Sequence, residues 1–155
     1  MATKGKRNIY VGPADGSSRK PQTVEGKALG VVRPGALVAE AATGIDENAV
    51  AATIFGASKL WANKDESRSK SVDDDWVINE NMVAIRGRSG EFLNVLVATA
   101  QTITKSGTPL SSNGDGTLKI AVTPATVGVT SEEFLAYSDE IITTTAVTLV
   151  RVVIA

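Results

Sequence analysis

The chain has 155 residues, 43% of them hydrophobic but only 5% aromatic, and a net charge of −1. That balance excludes the overall cationic footprint of a nucleic-acid-binding domain. The absence of Cys and His excludes disulfides, thiol nucleophiles, His-dependent triads and Cys/His zinc sites. No run approaches the ~18 apolar residues of a membrane-spanning helix, and MATKGKRNIYVGP at the N-terminus has basic residues but no apolar core of a secretory signal. The expectation is a protein made in the cytoplasm. Its 18 Val, 10 Ile and 16 Thr make 44 β-branched residues, side chains that lose rotamer freedom in helices and pack well on pleated sheet. The fold class read from this is mostly β, in a single domain.

Residues 1–25 read as an extended or flexible N-terminal arm. They carry Gly5, Gly12, Pro13, Gly16, Ser17, Ser18 and Pro21, with Ile9, Tyr10 and Val11 as the one apolar cluster. Such a segment buries too little by itself to offset its ordering entropy. Its basic residues Lys4, Lys6, Arg7, Arg19 and Lys20 form a solvated tail or lie on an acidic protein surface. From residue 26 to 155 the pattern is that of a β-rich domain. Pro34-Gly35 between two apolar runs marks a turn. Asp46 to Leu60 suits a helix capped by Asp46, and Ala52–Phe55 suits a strand equally well.

Lys64 to Asp75 (KDESRSKSVDDD) is a polar loop flanked by Trp61 and Trp76. The two indoles are either core plugs or an exposed pair for an interface or a sugar ring. Three adjacent carboxylates, Asp73 to Asp75, do not converge on one ion as a calcium loop does, and a solvated loop pairing with Arg68 or Lys70 is the simpler reading. Trp76 to Arg88 reads as strand, reversal at Asn79-Glu80-Asn81, and strand, with Val83 and Ile85 inward. Arg86-Gly87-Arg88-Ser89-Gly90 lacks the setting of a phosphate-binding loop and reads as a turn presenting Arg86 and Arg88.

Phe92 to Thr102 is apolar on both faces and therefore covered on both. Asn113-Gly114-Asp115-Gly116 supplies the residues of a hairpin reversal, after which Leu118, Ile120 and Val122 share one face. A further strand is expected before Thr130. Phe134 to Ile142 starts with a capping-box pattern at Thr130 and Glu133, yet its β-rich surroundings favour a strand. Val147 to Ile154 is a terminal strand with Val150, Val152 and Ile154 on one face. Glu132/Glu133 and Asp139/Glu140 are neighbouring carboxylates, but acid–base work needs two groups facing each other across a cleft. The expectation is no enzyme, no cofactor and no metal site.

Three stretches carry a family resemblance: EGKALGVVRPGALVAEA (Glu25–Ala41), Ser71–Ala121 with its WVINENMVAIRGRSGEFLNVLVATA core, and VGVTSEEFLAYSDEIITTTAVTLVRVVIA (Val127–Ala155). In these the chain resembles the small head-decoration, or capsid cement, proteins of tailed bacteriophages. The resemblance implies a compact β barrel or β-tulip-like domain that binds the outer surface of an expanded icosahedral shell. It implies a homotrimer at three-fold and quasi-three-fold positions, the major capsid protein as partner, a place on the virion surface, and no nucleic-acid or membrane contact. Under it, Arg7, Ile9, Tyr10, Val11, Arg19 and Lys20 are the capsid-binding arm, and Trp61, Trp76, Arg86 and Arg88 the possible interface. The competing reading is a surface-displayed glycan- or receptor-binding module using Trp61, Trp76 and the acidic loop.

Overall fold

A computed structural model describes residues 6–13, 20–47, 59–122 and 132–155. Its strands are β1 (Tyr10–Pro13), β2 (Gln22–Lys27), β3 (Leu37–Ala41), β4 (Gly44–Glu47), β5 (Leu60–Ala62), β6 (Asn81–Arg86), β7 (Glu91–Val97), β8 (Thr102–Ile103), β9 (Pro109–Ser112), β10 (Leu118–Ile120), β11 (Ala136–Ser138), β12 (Ile142–Thr143) and β13 (Thr148–Ile154). The helical structure among the described residues is one 3-10 turn, Glu66–Arg68. The expected strand before Thr130 and the ambiguous segment within Asp46–Leu60 fall mainly outside the described residues. At the edges of the latter, Gly44–Glu47 and Leu60–Ala62 are strands.

The strands form a closed five-stranded barrel in the order β7-β10-β9-β11-β13, with β13 returning to β7. The longest ladder, Thr148↔Val97 to Val153↔Phe92, is antiparallel and closes the ring. Alternation along it puts Leu93, Val95 and Val97 beside Val150, Val152 and Ile154 in the interior, all fully buried or nearly so. The hairpin read from Asn113 to Gly116 joins β9 to β10, pairing Ser112 with Leu118 and Leu110 with Ile120. Asp115 accepts from the Thr117 N–H (3.0 Å), which stabilises the reversal. Phe134–Ile142 resolves as the short strands β11 and β12, without a helix.

A second sheet, in the order β2-β6-β5-β3-β4, lies against the barrel. A single parallel bridge from Ala28 to Ile45 draws its two edges together. One face packs Leu37, Trp61 and Ile85 against the barrel wall, where its outward-facing Leu96 and Leu149 join them in one continuous core. The other face gives Val38, Leu60, Ala62, Met82 and Ala84 to a second core shared with Val32, Ile45 and Trp76. Apolar on both faces, β5 and β6 are the middle layer of three.

The outer edge of β7 is occupied along its whole length. β1 pairs at Glu91 to Leu93, the Asn94 N–H donates to the Ile9 carbonyl (2.7 Å), the Leu96 N–H to the Gly35 carbonyl (2.8 Å), and Leu118 pairs with Val97. Gly35 is the junction between the two sheets. Its own N–H reaches the Ala62 carbonyl (2.8 Å), its φ is +86°, and a Cβ there would come within 2.4 Å of Leu149 Cδ2. The Pro34-Gly35 turn is thus a tie between two layers as well as a reversal.

The division expected at residue 25 does not coincide with an element boundary. Strand β2 runs across it, paired with β6 from Gln22↔Arg86 to Lys27↔Asn81. Ile9 is fully buried in the barrel's core. The described part of the N-terminal segment is ordered by the chain's own sheet, because β7 offers a free ladder edge and an apolar socket that composition alone does not reveal. Ile9→Ala is expected to cost about 2–5 kcal/mol, read from urea unfolding. A loss under about 0.5 kcal/mol, the range of a surface change, would mean that residues 6–13 are dispensable to the fold.

Candidate interaction surface

The N-terminal segment crosses the outer face of the β7–β13 ladder. Asn8 is fastened by Asn94, whose Nδ2 donates to its carbonyl (2.6 Å), and Lys6 pairs with Glu140. Between Tyr10 and Gly12 the register with β7 slips by one residue, so Val11 is the extra residue of a bulge and stands 47% exposed. Beside it runs a groove of 320 Å³ lined by Lys6, Arg7, Asn8, Tyr10, Val11, Asn94 and Arg151. A cavity of 440 Å³ on the other side of Lys6 and Arg7 reaches Lys64, Ser71 and Asp73. Arg151 is held by Asp139 (2.6 Å), and its backbone N–H by Glu140 (2.9 Å). The Asp139/Glu140 pair therefore fastens the segment to the barrel wall. Arg7 is exposed, with no ion pair among the described residues.

Of the other residues singled out from sequence, Lys20 is exposed and Arg19 lies outside the described residues. Arg86 approaches Glu40 at 3.8 Å. Arg88 is half-buried in the turn to β7, where its N–H donates to Glu91 Oε2 (3.0 Å).

Trp61 and Trp76 are core residues, 0% and 1% exposed. They sit in different cores, one on each side of the second sheet. Trp61 lies over Gly87, where a Cβ would fall 2.6 Å from the ring, and its Nε1 has no hydrogen-bond partner. Trp76 donates from Nε1 to the Asn63 carbonyl (2.8 Å), with the Lys70 ammonium 5.8 Å from its ring centre. Neither ring face is presented to a sugar or partner, which corrects the reading of an exposed aromatic pair. With only five percent aromatics, the chain uses its largest side chains to fill the layers.

The polar loop is tied down from within. Asp65 and Lys70 exchange both backbone hydrogen bonds (2.9 Å each), and Asp65 accepts from the Ser67 N–H at the start of the 3-10 turn (3.1 Å). Asp74 accepts from the N–H and hydroxyl of Ser71 (2.9 and 2.7 Å). Arg68 and Lys70 pair with Asp65 (3.4 Å) and Glu80 (3.0 Å) and form no salt bridge with the Asp73–Asp75 run among those the structure describes.

Glu132 sits in the outer barrel wall between β9 and β10, 8% exposed. Burial pushes its carboxyl pKa up, but the Lys119 ammonium, the Val122 N–H and the Ser111 hydroxyl together outweigh it and hold it below the usual Glu range. Arg33 makes the corresponding clamp between sheets. Its guanidinium grips Glu47 with two bonds of 2.9 Å and reaches the Asp115 carbonyl (2.8 Å), which shifts Arg33 further toward its charged form.

Three exposed aliphatics that the sequence did not single out are Val31, Val77 and Ile78, 61%, 49% and 57% exposed, the first two opposite each other beside the Val32–Trp76 bridge. Their signal in the sequence is slight, since Val31 reads as one of a pair of core valines. Comparison with protein-family models and with curated proteins finds no match to this chain.

Two outcomes follow from this geometry. Both indoles should resist quenching by acrylamide in the folded chain, and Trp76→Phe should cost about 1 kcal/mol more than Trp61→Phe, because only Trp76 gives up a bonded donor. Strong quenching in the native state would contradict the burial. Because Glu132 titrates below its unfolded value, its stabilisation is full above the ordinary Glu range and is lost as pH falls through the folded pKa. Glu132→Gln should therefore lower stability at neutral pH by about 1–3 kcal/mol and flatten the acid limb of the stability profile. An acid limb identical to that of the unaltered chain would rule out this role.

Proposed function

We propose that the chain is a structural, non-enzymatic virion protein that binds the outer surface of an expanded phage capsid as a homotrimer and stabilises the shell against internal DNA pressure. The observation that carries this reading is the set of branched aliphatic side chains, Val31, Val77 and Ile78, held in solvent around the Val32–Trp76 bridge and the turn that follows it. Singly exposed aliphatics are ordinary, but a group fixed by backbone geometry at one tip suits contact with another protein. The sequence resemblance to capsid cement proteins supplies the class of partner, the major capsid protein.

The physics of such a shell favours this design. Its interfaces are many and individually modest, and a trimer that touches several capsid subunits converts each further contact into an intramolecular one. Its two cores lie on the two faces of one shared sheet, so the body behind any contact it makes is packed through. The arm in this reading changes character. With Ile9 in the chain's own core, it is withdrawn from the residues that meet a shell; among the described arm residues, Arg7, Val11 and Lys20 are exposed. The rival glycan-binding reading loses its principal support with the burial of both tryptophans.

Purified chain should co-sediment saturably with expanded capsids lacking it, approaching one trimer per three-fold position, and more weakly with compact precursor shells. Absence of binding to both kinds of shell would overturn the proposal.

A further inference from the structure

The residues at 30–33 and 75–78 form a two-stranded ribbon over the second core. Val32 and Trp76 exchange both backbone hydrogen bonds (3.0 and 2.8 Å) and turn their side chains inward. Alternation then sends Val31 and Val77 outward as direct cross-strand neighbours. Ile78 follows at a tight turn, where Asn79 takes φ +69° and its N–H returns to the Ala28 carbonyl (2.8 Å). The backbone thereby holds three branched side chains in water at one tip. Two carboxylates edge this tip. Asp46 lies beside Gly30, and Asp75 faces Arg33 across the ribbon, close enough to influence it, while Arg33 itself is taken up by Glu47. Neither Asp46 nor Asp75 has an ion-pair partner among the described residues.

The groove beside the N-terminal segment has the opposite character. Tyr10 and the bulged Val11 supply its apolar surface, and Lys6, Arg7 and Arg151 its rim, in a volume of 320 Å³. Lys6 and Arg151 are committed to Glu140 and Asp139. Arg7 has no ion-pair partner among the described residues. Among the described residues, the chain therefore carries an apolar tip edged by anions without an ion pair and, on a separate part of its surface, a largely polar groove with one apolar wall and a cation without an ion pair.

We infer that the Val31–Val77–Ile78 tip of one copy seats in the Tyr10–Val11 groove of a second copy, with Asp75 and Asp46 facing Arg7. Apolar side chains leave water on both sides, and the charges left over on each surface are opposite, so they set the orientation of the contact more than its strength. Because tip and groove are different surfaces, the contact is head-to-tail. It uses one tip and one groove per copy and closes into a ring when the rotation permits. This inference rests on the reading of the chain as a self-associating module and names the surfaces by which it would associate.

Sedimentation velocity of the full chain, without any shell, over a concentration series tests it. The unaltered chain should self-associate, and Ile78→Asp should weaken this by about tenfold or more with unchanged thermal unfolding. Arg7→Glu places acid against acid and Asp75→Arg places base against base, so each variant alone should associate at least about tenfold more weakly. Mixed in equal amounts, the two should regain association between unlike copies, since each then meets a partner of opposite charge, although a three-membered ring keeps one like-charged contact. A chain that stays monomeric throughout, or charge variants that associate as the unaltered chain does, would overturn the contact. Shell binding by a chain that fails this test would leave the proposed function standing and remove only these surfaces.

Discussion

Strand β7 is bonded along both edges and covered on both faces, and the other parts of the molecule take their places from that constraint. On one edge β13 runs antiparallel to it over nearly its full length. On the other, three separate segments take successive positions: β1 with the preceding Ile9, Gly35, and β10. Its inner face fills the barrel, and Leu96 on its outer face meets the layer that holds Trp61 and Ile85. A strand with no free edge and no free face cannot slip by one residue without turning its buried set outward. Register is consequently specified for the segments that dock on it as well.

The same constraint accounts for how charge is used. Most of the ionic groups that sequence inspection marks as candidates for chemistry serve to fasten one segment to another. Glu47 and Arg33 join the second sheet to the β9–β10 hairpin, Asp139 and Glu140 hold the ladder and the N-terminal segment, and Glu132 spans β9 and β10 through Ser111 and Lys119. Among the charged groups without an ion pair in the described residues, Arg7, Asp46 and Asp75 lie beside exposed aliphatic groups. Surface contact, with charge setting orientation more than strength, is the use these features suit.

Local pattern made much of the barrel legible. The alternation of Val150, Val152 and Ile154, the two-sided burial of Leu93 to Val97, the Asn113–Gly116 reversal and the Pro34-Gly35 turn all follow from periodicity and turn chemistry. The pairings that close the structure do not. Tyr10 pairs with Leu93 and Ala136 with Leu110, and no local window reports that such distant edges are vacant for each other. For the same reason Ile9 reads as an anchor awaiting a partner, although its socket lies within the chain. Trp61 and Trp76 were ambiguous because a flanking polar loop suggests exposure, whereas the need to fill two thin cores with few aromatics decides for burial. The Val31–Val77 tip was hidden because its outward direction depends on the bridge between Val32 and Trp76, 44 residues apart in sequence.

Native-state hydrogen exchange, followed amide by amide, tests most directly whether the two layers are one body built on β7. The account predicts that the amides of Asn94 and Leu96, of the β5 and β6 ladder, and of β13 exchange with the same free energy, that of global unfolding. A second sheet that exchanges at markedly lower free energy than the barrel would contradict it, and would mean that Gly35 and Ile9 decorate β7 without joining the two layers.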